Sequence, residues 1–259
     1  MGVTLPNYGA KADSGAIRAI AQAAEDLRLD SVWATEHIIV GREAGELYGQ
    51  VLDPLCTLAW VAGYTQSVAL GTSIILLPLH HPIRLAKEAV TLQNLSVNRF
   101  RLGIGVGWHE PEFRFMGVNF TDRGARADES IQLMRALWRG DDHFSGTYWS
   151  FQEAIFAPLP SSPPEIWVGG NSARAIRRAC DLGDVWHAPT HASVDFVADV
   201  KEQHPQLRVF PRIDAGPVDK TQTRIANFAR VGCEGVVVGL DDDPDKAIHS
   251  MEELVEVGA

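Results

Sequence analysis

The sequence predicts a closed (β/α)8 barrel, with residues 1–259 forming a single α/β domain. Short β-type runs alternate with helical segments along the whole chain, which is typical of βα units around a parallel sheet. Eight strand candidates are found, the number that closes such a barrel, and 259 residues is a usual barrel length. Several candidates are nearly continuous apolar runs, as expected for strands covered on both faces. The predicted strands are Val3–Asn7, Ser31–Glu36, Val68–Leu77, Phe100–Val106, Glu165–Gly169, Asp184–Ala188, Arg208–Asp214 and Gly235–Leu240.

Helix signals lie between these strands. Asp53 and Asp243 are N-cap candidates, since each precedes a proline that suits the first helical position. Pro82 opens another predicted helix, which Asn98 ends in a left-handed conformation. Apolar stripes at helical spacing support two further helices. They consist of Ile17, Ile20, Ala21, Ala24 and Leu27, and of Ala127, Ile131, Met134 and Trp138.

One connection is unusually long. It runs from the helix that ends near Gly140 to the strand at Glu165, and it begins with the aromatic segment His143–Phe151. We predict that this segment forms a small hairpin laid on the barrel before the fifth strand. The proline-rich stretch Pro158–Pro164 then gives a stiff return.

Composition excludes some classes of function. The formal net charge is −10 and no basic cluster is present, which argues against a nucleic-acid partner. No apolar run reaches membrane-spanning length, and the first residues lack a signal-peptide core. Cys56, Cys180 and Cys233 are widely spaced, and we interpret them as small buried residues in a reducing compartment. We therefore expect a cytoplasmic protein.

In a barrel, the working residues lie at the carboxyl ends of the strands and in the loops that follow. Glu36 and His37 end the second strand, where a carboxylate and an imidazole suit proton transfer. Strand alternation would send them to opposite sides, so we do not expect both in one pocket. The alternative is that His37 only satisfies a backbone carbonyl.

The third and fourth strands carry small residues within apolar runs. Thr72 and Ser73 indicate a kink or bulge, or else hydroxyls that bond to neighbouring backbone. Gly103, Gly105 and Gly107 recur at alternate positions, which leaves one strand face free of side chains. A flat ring would then approach the backbone, although barrel closure also requires strand glycines. The spacing is not a dinucleotide fingerprint.

The fifth strand leads directly into a helix. Gly169, Gly170, Asn171 and Ser172 stand at its N-terminus, where free N–H groups and the helix dipole favour a phosphate. An ordinary N-cap after a tight turn is the alternative.

Two further groups of polar residues are predicted to support the site without taking part in catalysis. The charged run Arg123–Glu129 is interpreted as a local network that fixes the preceding loop. His80, His81 and His109 lie on loops at the barrel mouth and are candidates for lining a substrate pocket. They are not accompanied by carboxylates or cysteines at metal-ligand spacing.

Taken in chain order, seven short segments resemble the luciferase-like family of flavin and deazaflavin oxidoreductases, and the resemblance covers almost the whole chain. It is most similar to the branch that uses the deazaflavin coenzyme F-420. The segments are Leu5–Asn7, Trp33–His37, Leu77–Pro82, Leu102–Trp108, Arg123–Glu129, Trp167–Gly170 and Gly183–Trp186.

The resemblance implies a TIM-barrel enzyme and a role for each site residue. His37 corresponds to the histidine at the cofactor ring and Glu36 to the neighbouring acid that hydrogen-bonds there, so these two are the predicted catalytic residues. Ser73-Ile74 falls where the family often has a non-proline cis peptide against the ring. No metal is expected. The predicted cofactor-binding residues are Asn7, Glu36, His37, Ser73, Ile74, Gly105, Gly107, Trp108, Gly169, Gly170, Asn171 and Ser172.

The implied reaction is hydride transfer between coenzyme F-420 and a small organic substrate, with His37 assisting proton movement. The negatively charged tail of this cofactor predicts a basic residue at the pocket rim, for which Arg174, Arg177 and Arg178 are candidates. An FMN-dependent monooxygenase on the same scaffold is the alternative, distinguished by the oxygen reactivity of reduced flavin. The family also implies a homodimer.

Two readings from other classes are a flavin-binding barrel without catalysis and a lyase or isomerase without a redox cofactor. Against the second, no lysine stands near a strand end to form a Schiff base. The segment Trp108–Glu112 offers no counterpart of the catalytic acid of the family's sugar-phosphate dehydrogenases, which argues against sugar-phosphate oxidation. The chain is short for the family near the seventh strand, so we expect a smaller lid.

Overall fold

The computed structural model describes residues 1–10, 12–241 and 243–256. Its strands alternate with helices, as predicted. The strands are β1 (Gly2–Thr4), β2 (Ser31–Ala34), β3 (Ala69–Thr72), β4 (Ile75–Leu76), β5 (Phe100–Gly105), β6 (Phe144–Ser145), β7 (Ser150–Phe151), β8 (Glu165–Gly169), β9 (Val185–His187), β10 (Arg208–Val209), β11 (Arg212–Asp214) and β12 (Val237–Gly239). The α-helices are α1 (Ser14–Asp26), α2 (Gly45–Tyr48), α3 (Pro54–Ala62), α4 (Pro82–Leu95), α5 (Glu110–Phe115), α6 (Arg123–Arg139), α7 (Ala173–Asp181), α8 (Val194–Gln203), α9 (Val218–Arg230) and α10 (Pro244–Glu256).

The parallel sheet closes through one segment of the chain. Its strand order is β10-β9-β8-β5-β3-β2-β1-β12-β11, with β4 also paired to β5. The two end strands, β10 and β11, are separated only by Phe210 and Pro211. Across this joint the N–H of Phe210 donates to Trp186 O at 3.0 Å, and the N–H of Val237 donates to Pro211 O at 2.9 Å. Residues 208–214 therefore bridge both edges, and the predicted barrel is confirmed.

Two predicted strands are interrupted. The seventh is divided at Pro211, because proline has no N–H to donate to a sheet. The third is divided between β3 and β4, where the Ser73–Ile74 peptide is cis, as the family resemblance implied. The second strand ends at Ala34, two residues earlier than predicted.

Side-chain caps define several helices. Asp53 Oδ1 accepts the N–H of Cys56 at 2.7 Å, and Asp243 Oδ1 accepts that of Asp245 at 3.2 Å. Asn98 has the left-handed φ of 62° that was predicted for it. The stripe of α6 is buried as expected, with Ala127, Ile131, Met134 and Trp138 all in the core.

The lower part of the barrel is filled by aromatic rings. The rings of Trp33 and Trp167 lie 4.6 Å apart, and Phe210 lies 4.6 Å from Trp167. A Cβ atom at Gly71 would stand 2.2 Å from the Trp33 ring, so this strand position requires glycine. The layer closes the barrel from below and forms a support for the polar residues above it.

The long connection forms the predicted hairpin, in which β6 and β7 pair antiparallel. Glu129 on α6 holds its turn, because its carboxylate accepts the backbone N–H groups of Thr147, Tyr148 and Trp149 at 2.7 Å each. Part of the charged run Arg123–Glu129 therefore anchors the hairpin.

The expectation that the cysteines are buried is wrong for Cys56 and Cys180, which are exposed, while Cys233 is half-buried. Cys56 lies in the first turn of α3 and Cys180 in the last turn of α7, on faces turned away from the sheet. Within residues 1–10, 12–241 and 243–256, no helix is long and apolar enough to cross a bilayer.

Candidate active site

A cavity of about 450 Å³ opens at the carboxyl ends of the strands. It is lined by eleven of the twelve predicted cofactor-binding residues, and Asn7 is the exception. Asn7 is fully buried below the wall, where its side chain donates to Thr35 O and Leu52 O and accepts from Thr35 N. It fixes the loop that follows β2 and does not reach the cavity.

His37 is oriented by a buried carboxylate. Its Nδ1 lies 2.9 Å from Glu112 Oε2, and Glu112 Oε1 accepts the N–H of Ile38 at 2.6 Å. Burial raises the pKa of the Glu112 carboxyl, but the hydrogen bonds from His37, Ile38 and Ile39 outweigh it, so this pKa is lowered. An ionised carboxylate only accepts, so Nδ1 of His37 carries a hydrogen. Nε2 lies on the cavity wall and has no hydrogen-bond partner among the residues that the structure describes.

Glu36 also lines the cavity, but both of its oxygens already have donors. The N–H of Leu76 donates to Oε2 at 2.6 Å, and His80 Nε2 lies 2.9 Å from Oε1. Burial lowers the pKa of His80, but the hydrogen bond and charge of Glu36 outweigh burial and raise it. Glu36 thus fixes the backbone just after the cis peptide. Its catalytic role stays a prediction.

The expectation that Glu36 and His37 face opposite sides is wrong, because both line the same cavity. β2 ends at Ala34, so residues 35–37 belong to a loop to which strand alternation does not apply. The two side chains do not form a dyad. Each is paired with a residue from another loop, His80 or Glu112.

The strand glycines make room for the third strand. A Cβ atom at Gly103 would stand 1.8 Å from Thr72 O, and one at Gly105 would stand 2.0 Å from Ile74 Cδ1. A Cβ atom at Gly169 would stand 3.1 Å from Ile74 Cγ2. The space without side chains that was predicted for a flat ring is therefore partly occupied by Ile74. This side chain leans on β5 and β8 and offers an apolar surface to the cavity.

The predicted phosphate site lies where β8 turns into α7. Gly170 has a φ of 111°, which favours glycine, and Ser172 caps the helix by accepting the N–H of Ala175 at 3.2 Å. The N–H groups of Ala173 and Arg174 belong to the first turn, which has no acceptors within the helix. Asn171 and Ser172 line the cavity beside them.

The floor of the cavity is a polar cluster that rests on the aromatic layer. His187 stacks on Trp33 with ring centroids 5.3 Å apart, and its Nδ1 lies 2.8 Å from Phe210 O. Burial lowers the pKa of His187 to about 4, and the charge of Arg212 lowers it further. The imidazole is therefore neutral, with its hydrogen on Nδ1, and Nε2 accepts the Ser73 hydroxyl at 2.9 Å.

Aromatic side chains form the outer wall. The Tyr48 ring lies 4.2 Å from the His37 ring and 5.9 Å from Tyr8. Trp108 is 61% exposed at the mouth, edge-on to His37 at 6.0 Å. Burial raises the pKa of the Tyr48 hydroxyl. These rings give one side of the cavity an apolar surface with hydroxyl groups.

The loop histidines do not take the place predicted for them. None of His80, His81 and His109 belongs to the described lining of the cavity. His80 is paired with Glu36, His81 packs on Trp149 at 4.6 Å, and His109 accepts the N–H of Gly41 at 2.9 Å. Their contacts hold loops together. Arg123 acts similarly, as predicted, since its Nε donates to Gly107 O at 3.2 Å.

The candidate arginines for the rim border a separate groove beside α7. Arg178 forms an ion pair with Asp128, and its Nη2 donates to Gly124 O at 3.0 Å. Arg174 and Arg177 are exposed and have no ion pair among the described residues. Only these two remain available to an anion at the rim.

Sequence reasoning missed four residues of the site. Glu112 lies in the segment noted after the fourth strand, but nothing in its spacing indicated a contact with His37. His187 is a polar residue in an otherwise apolar strand, a signal that was available, whereas Arg212 shares its strand with Asp214 and did not stand out. Tyr48 lies on the short helix α2 and carried no recognisable signal.

Comparison with known proteins agrees with this geometry. The sequence profile of the luciferase-like monooxygenase family matches residues 3–206. A flavin-dependent trigonelline monooxygenase, oxygenase component, from Acinetobacter baylyi is 29% identical over 171 residues, which is 63% of this chain and 46% of that protein. An F420-dependent glucose-6-phosphate dehydrogenase from Kineococcus radiotolerans is 30% identical over 190 residues, covering 71% of this chain and 55% of that protein.

The chain thus spans about half the length of the curated relatives it matches. Among solved structures, an F420-dependent secondary alcohol dehydrogenase in complex with an F420-acetone adduct superimposes with a TM-score of 0.82. It is 15% identical in sequence, and the match covers 99% of this chain and 97% of that one. That likeness shows the barrel fold. The family profile, which matches residues 3–206, shows that this chain belongs to the luciferase-like monooxygenase family.

Proposed function

We propose that the protein is an oxidoreductase that binds the deazaflavin coenzyme F-420 and moves a hydride between it and a small organic substrate. The observation that carries the proposal is one cavity that combines an apolar wall at Ile74, a phosphate cradle at α7 and a histidine with a free ring nitrogen. Family membership and the similarity to F420-dependent dehydrogenases support it.

The residues present fit such a cofactor. Ile74 presents an aliphatic side chain where a planar ring needs an apolar support. Gly170, Ser172 and the first N–H groups of α7 suit a phosphate group. Arg174, in the first turn of α7, forms no ion pair with any described residue and suits a negatively charged tail. When bound, coenzyme F-420 supplies the site that accepts or donates the hydride.

The protein's own part is orientation and proton movement. Glu112 holds the hydrogen of His37 on Nδ1, so Nε2 is the atom that accepts a proton from the substrate or returns one. The ring of Tyr48, 4.2 Å from His37, and Trp108 at the mouth shield this atom from bulk water. General acid–base help of this kind contributes about 10²–10⁴-fold to a rate.

An FMN-dependent monooxygenase is the second candidate. Its specific support is the 29% identity to a flavin-dependent monooxygenase, close to the 30% identity to the F420-dependent dehydrogenase. The apolar wall and the phosphate cradle suit FMN as well. The basic residues beside the cradle, Arg174 and Arg177, favour the longer anionic cofactor.

The test is an anaerobic titration of the full chain with coenzyme F-420 and, separately, FMN, followed by cofactor fluorescence. We expect tighter binding of F-420, and His37→Asn should keep that affinity while lowering turnover about 10²-fold or more. Preference for FMN, with oxygen consumption on reduction, would transfer the assignment to the monooxygenase. Binding of neither cofactor would overturn the redox function, and full turnover by His37→Asn would overturn the role of that side chain.

We further propose that the chain works as a single domain over residues 1–259, as a homodimer, in the cytoplasm, on a small molecule and not on nucleic acid. Exposed Ile38, Ile39 and Leu47, at 45%, 49% and 52%, give the loop after β2 an apolar surface that suits a second copy. Light scattering at micromolar concentration checks the dimer, and a monomer there would contradict it.

A further inference from the structure

One cation faces the cavity without an anionic partner. Arg212 begins β11 and is the only lysine or arginine among the described residues that line the cavity. No carboxylate within residues 1–10, 12–241 and 243–256 forms an ion pair with it. Neither Glu36 nor Glu112 balances it, since they are paired with His80 and His37.

The hydrogen bonds of Arg212 are long and all to neutral groups. Its Nη1 donates to Ser73 O at 3.2 Å, Ser73 Oγ at 3.3 Å and Thr35 Oγ1 at 3.4 Å. Its Nη2 donates to Tyr8 Oη at 3.3 Å. Charge-assisted bonds are usually about 2.7–2.9 Å long. Its Nε is buried and has no acceptor within the described part of the chain.

None of these neighbours depends on the arginine for a partner, apart from Tyr8. Ser73 O also accepts the Thr35 hydroxyl at 3.2 Å, and the Ser73 hydroxyl donates to His187 at 2.9 Å. A half-buried guanidinium with a buried, unused N–H is costly to the folded chain unless an anion accompanies it. The arrangement is that of a binding group and not of a structural ion pair.

Arg212 enters the cavity from β11, between Tyr8 and Ser73. Ile74 and the phosphate cradle lie on the side of the barrel formed by β4, β5 and β8. Arg212 belongs to β11; one strand, β12, stands between it and β1, and one strand, β9, stands between the adjoining β10 and β8. Its Nη2 donates to Tyr8, which follows β1. On that side the Tyr48 ring connects Tyr8 to His37. An anion at Arg212 therefore lies within the shared cavity, between Ser73 and the side formed by Tyr8, Tyr48 and His37.

We infer that Arg212 binds a carboxylate of the substrate, so that the substrate class is small organic carboxylates whose reacting carbon faces Nε2 of His37. A carboxylate matches the guanidinium in shape and brings one negative charge to one positive charge. The hydroxyls of Thr35, Tyr8 and Tyr48 are neutral and add no second cation for a dianion. The inference names a substrate class for the proposed redox function. The reaction of that substrate rests on the proposed function, whereas its binding to Arg212 does not.

Calorimetric titration of the cofactor-free full chain with benzoate, benzamide and inorganic phosphate tests the inference. Benzoate should bind, and benzamide, its neutral analogue of equal shape, should bind about thirtyfold or more weakly. Arg212→Gln should lose benzoate binding by about the same factor, and Arg212→Lys should retain part of it. The matched control is Arg230→Gln, which removes an exposed arginine on α9 and should bind benzoate as the wild type does.

Equal affinities for benzoate and benzamide would overturn the inference, as would unchanged benzoate binding by Arg212→Gln. Phosphate bound through Arg212 more tightly than benzoate would overturn the choice of carboxylate. A purely structural Arg212 would show itself as a lowered melting temperature of Arg212→Gln without any difference between the two analogues. Since benzoate is titrated without cofactor, failure here is distinct from failure to bind F-420 or FMN.

Discussion

The buried imidazole of His187 should make the barrel sensitive to mild acid. The residue is 3% exposed, and both of its ring nitrogens are engaged, by Phe210 O and by the Ser73 hydroxyl. Burial lowers the pKa of His187 to about 4, from 6.5, and the charge of Arg212 acts in the same direction. Protonation in the folded state would place a second positive charge beside Arg212 and remove the acceptor of Ser73.

The sign follows from linkage. Between pH 6.5 and about 4, the unfolded chain binds a proton at this histidine and the folded chain does not, so the free energy of unfolding falls as the pH falls. The stabilisation is complete above pH 6.5 and is lost towards pH 4. Each pH unit in that window is worth about 1.4 kcal/mol, so the whole interval amounts to about 3 kcal/mol.

Few other groups act in the same window. The pKa values of Glu112 and Glu165 are lowered from 4.5, so these two residues decrease the free energy of unfolding only as the pH falls below 4.5. The raised pKa of His80 has the opposite sign, with stability present below pH 6.5 and lost as the pH rises through the folded value. Measurements from pH 4.5 to 6.5 therefore report mainly on His187.

The assay is urea unfolding at half-unit steps from pH 4.5 to 7.5 for the wild type, His187→Gln and His249→Gln. The wild type should lose about 2–3 kcal/mol more than His187→Gln on going from pH 7 to 4.5, whatever the absolute stability of the variant. His249 is an exposed histidine on α10, so its variant should follow the wild-type curve. Parallel curves for the wild type and His187→Gln would refute the reasoning.

Four further substitutions test the site. Gly105→Ala places a Cβ atom 2.0 Å from the flexible end of Ile74, so it should push that side chain into the cavity and weaken binding of both cofactors about tenfold. Gly103→Ala meets the Thr72 backbone oxygen at 1.8 Å and should instead destabilise the fold by about 3 kcal/mol or more, measured by urea unfolding. Glu112→Gln removes the anion that orients His37 and should lower kcat about 10²-fold with cofactor affinity retained, as steady-state kinetics and fluorescence titration will show. Ser172→Ala loses the cap of α7, at a cost of about 1 kcal/mol, and should weaken FMN more than riboflavin, which lacks the phosphate.

Each of these has a contrary result. Equal stability of the two glycine variants would contradict the difference between a movable side chain and a fixed backbone oxygen. A fall in cofactor affinity without a fall in kcat for Glu112→Gln would make Glu112 part of the cofactor site. If Ser172→Ala lowers the affinities for FMN and riboflavin equally, the phosphate does not bind at the start of α7.

Much of the framework could be predicted from local patterns. The alternation of apolar runs and helical stripes indicated the barrel, and the aromatic segment 143–151 indicated the hairpin. The proline and aspartate signals at residues 53–54 and 243–244 marked helix starts, because a cap is made by atoms a few residues apart. The glycines and hydroxyl residues at the predicted strand ends identified most of the cavity lining, because a barrel places its site at the carboxyl ends of its strands.

The errors arose where local rules stop. The alternation rule failed for Glu36 and His37, since β2 ends at Ala34 and the loop turns both side chains inward. The glycines of the fourth strand were interpreted as space for a ring or as a requirement of barrel closure, and local rules could not show that Thr72 and Ile74 lie where Cβ atoms at Gly103 and Gly105 would stand. Which atoms fill a gap depends on how adjacent strands approach each other.

By itself, the sequence determined the order of strands and helices, the helix caps and the strand ends that carry the site, because these depend on short-range periodicity and capping. The tertiary structure alone decided which polar groups meet there. Glu112 and His37 are 75 residues apart, His187 and Ser73 are 114 apart, and Arg212 and Ser73 are 139 apart. Such pairs form only when the sheet closes and brings distant strand ends to one mouth. The contact that orients His37, the lowered pKa of His187 and the lack of an ion pair for Arg212 among the described residues follow from that closure.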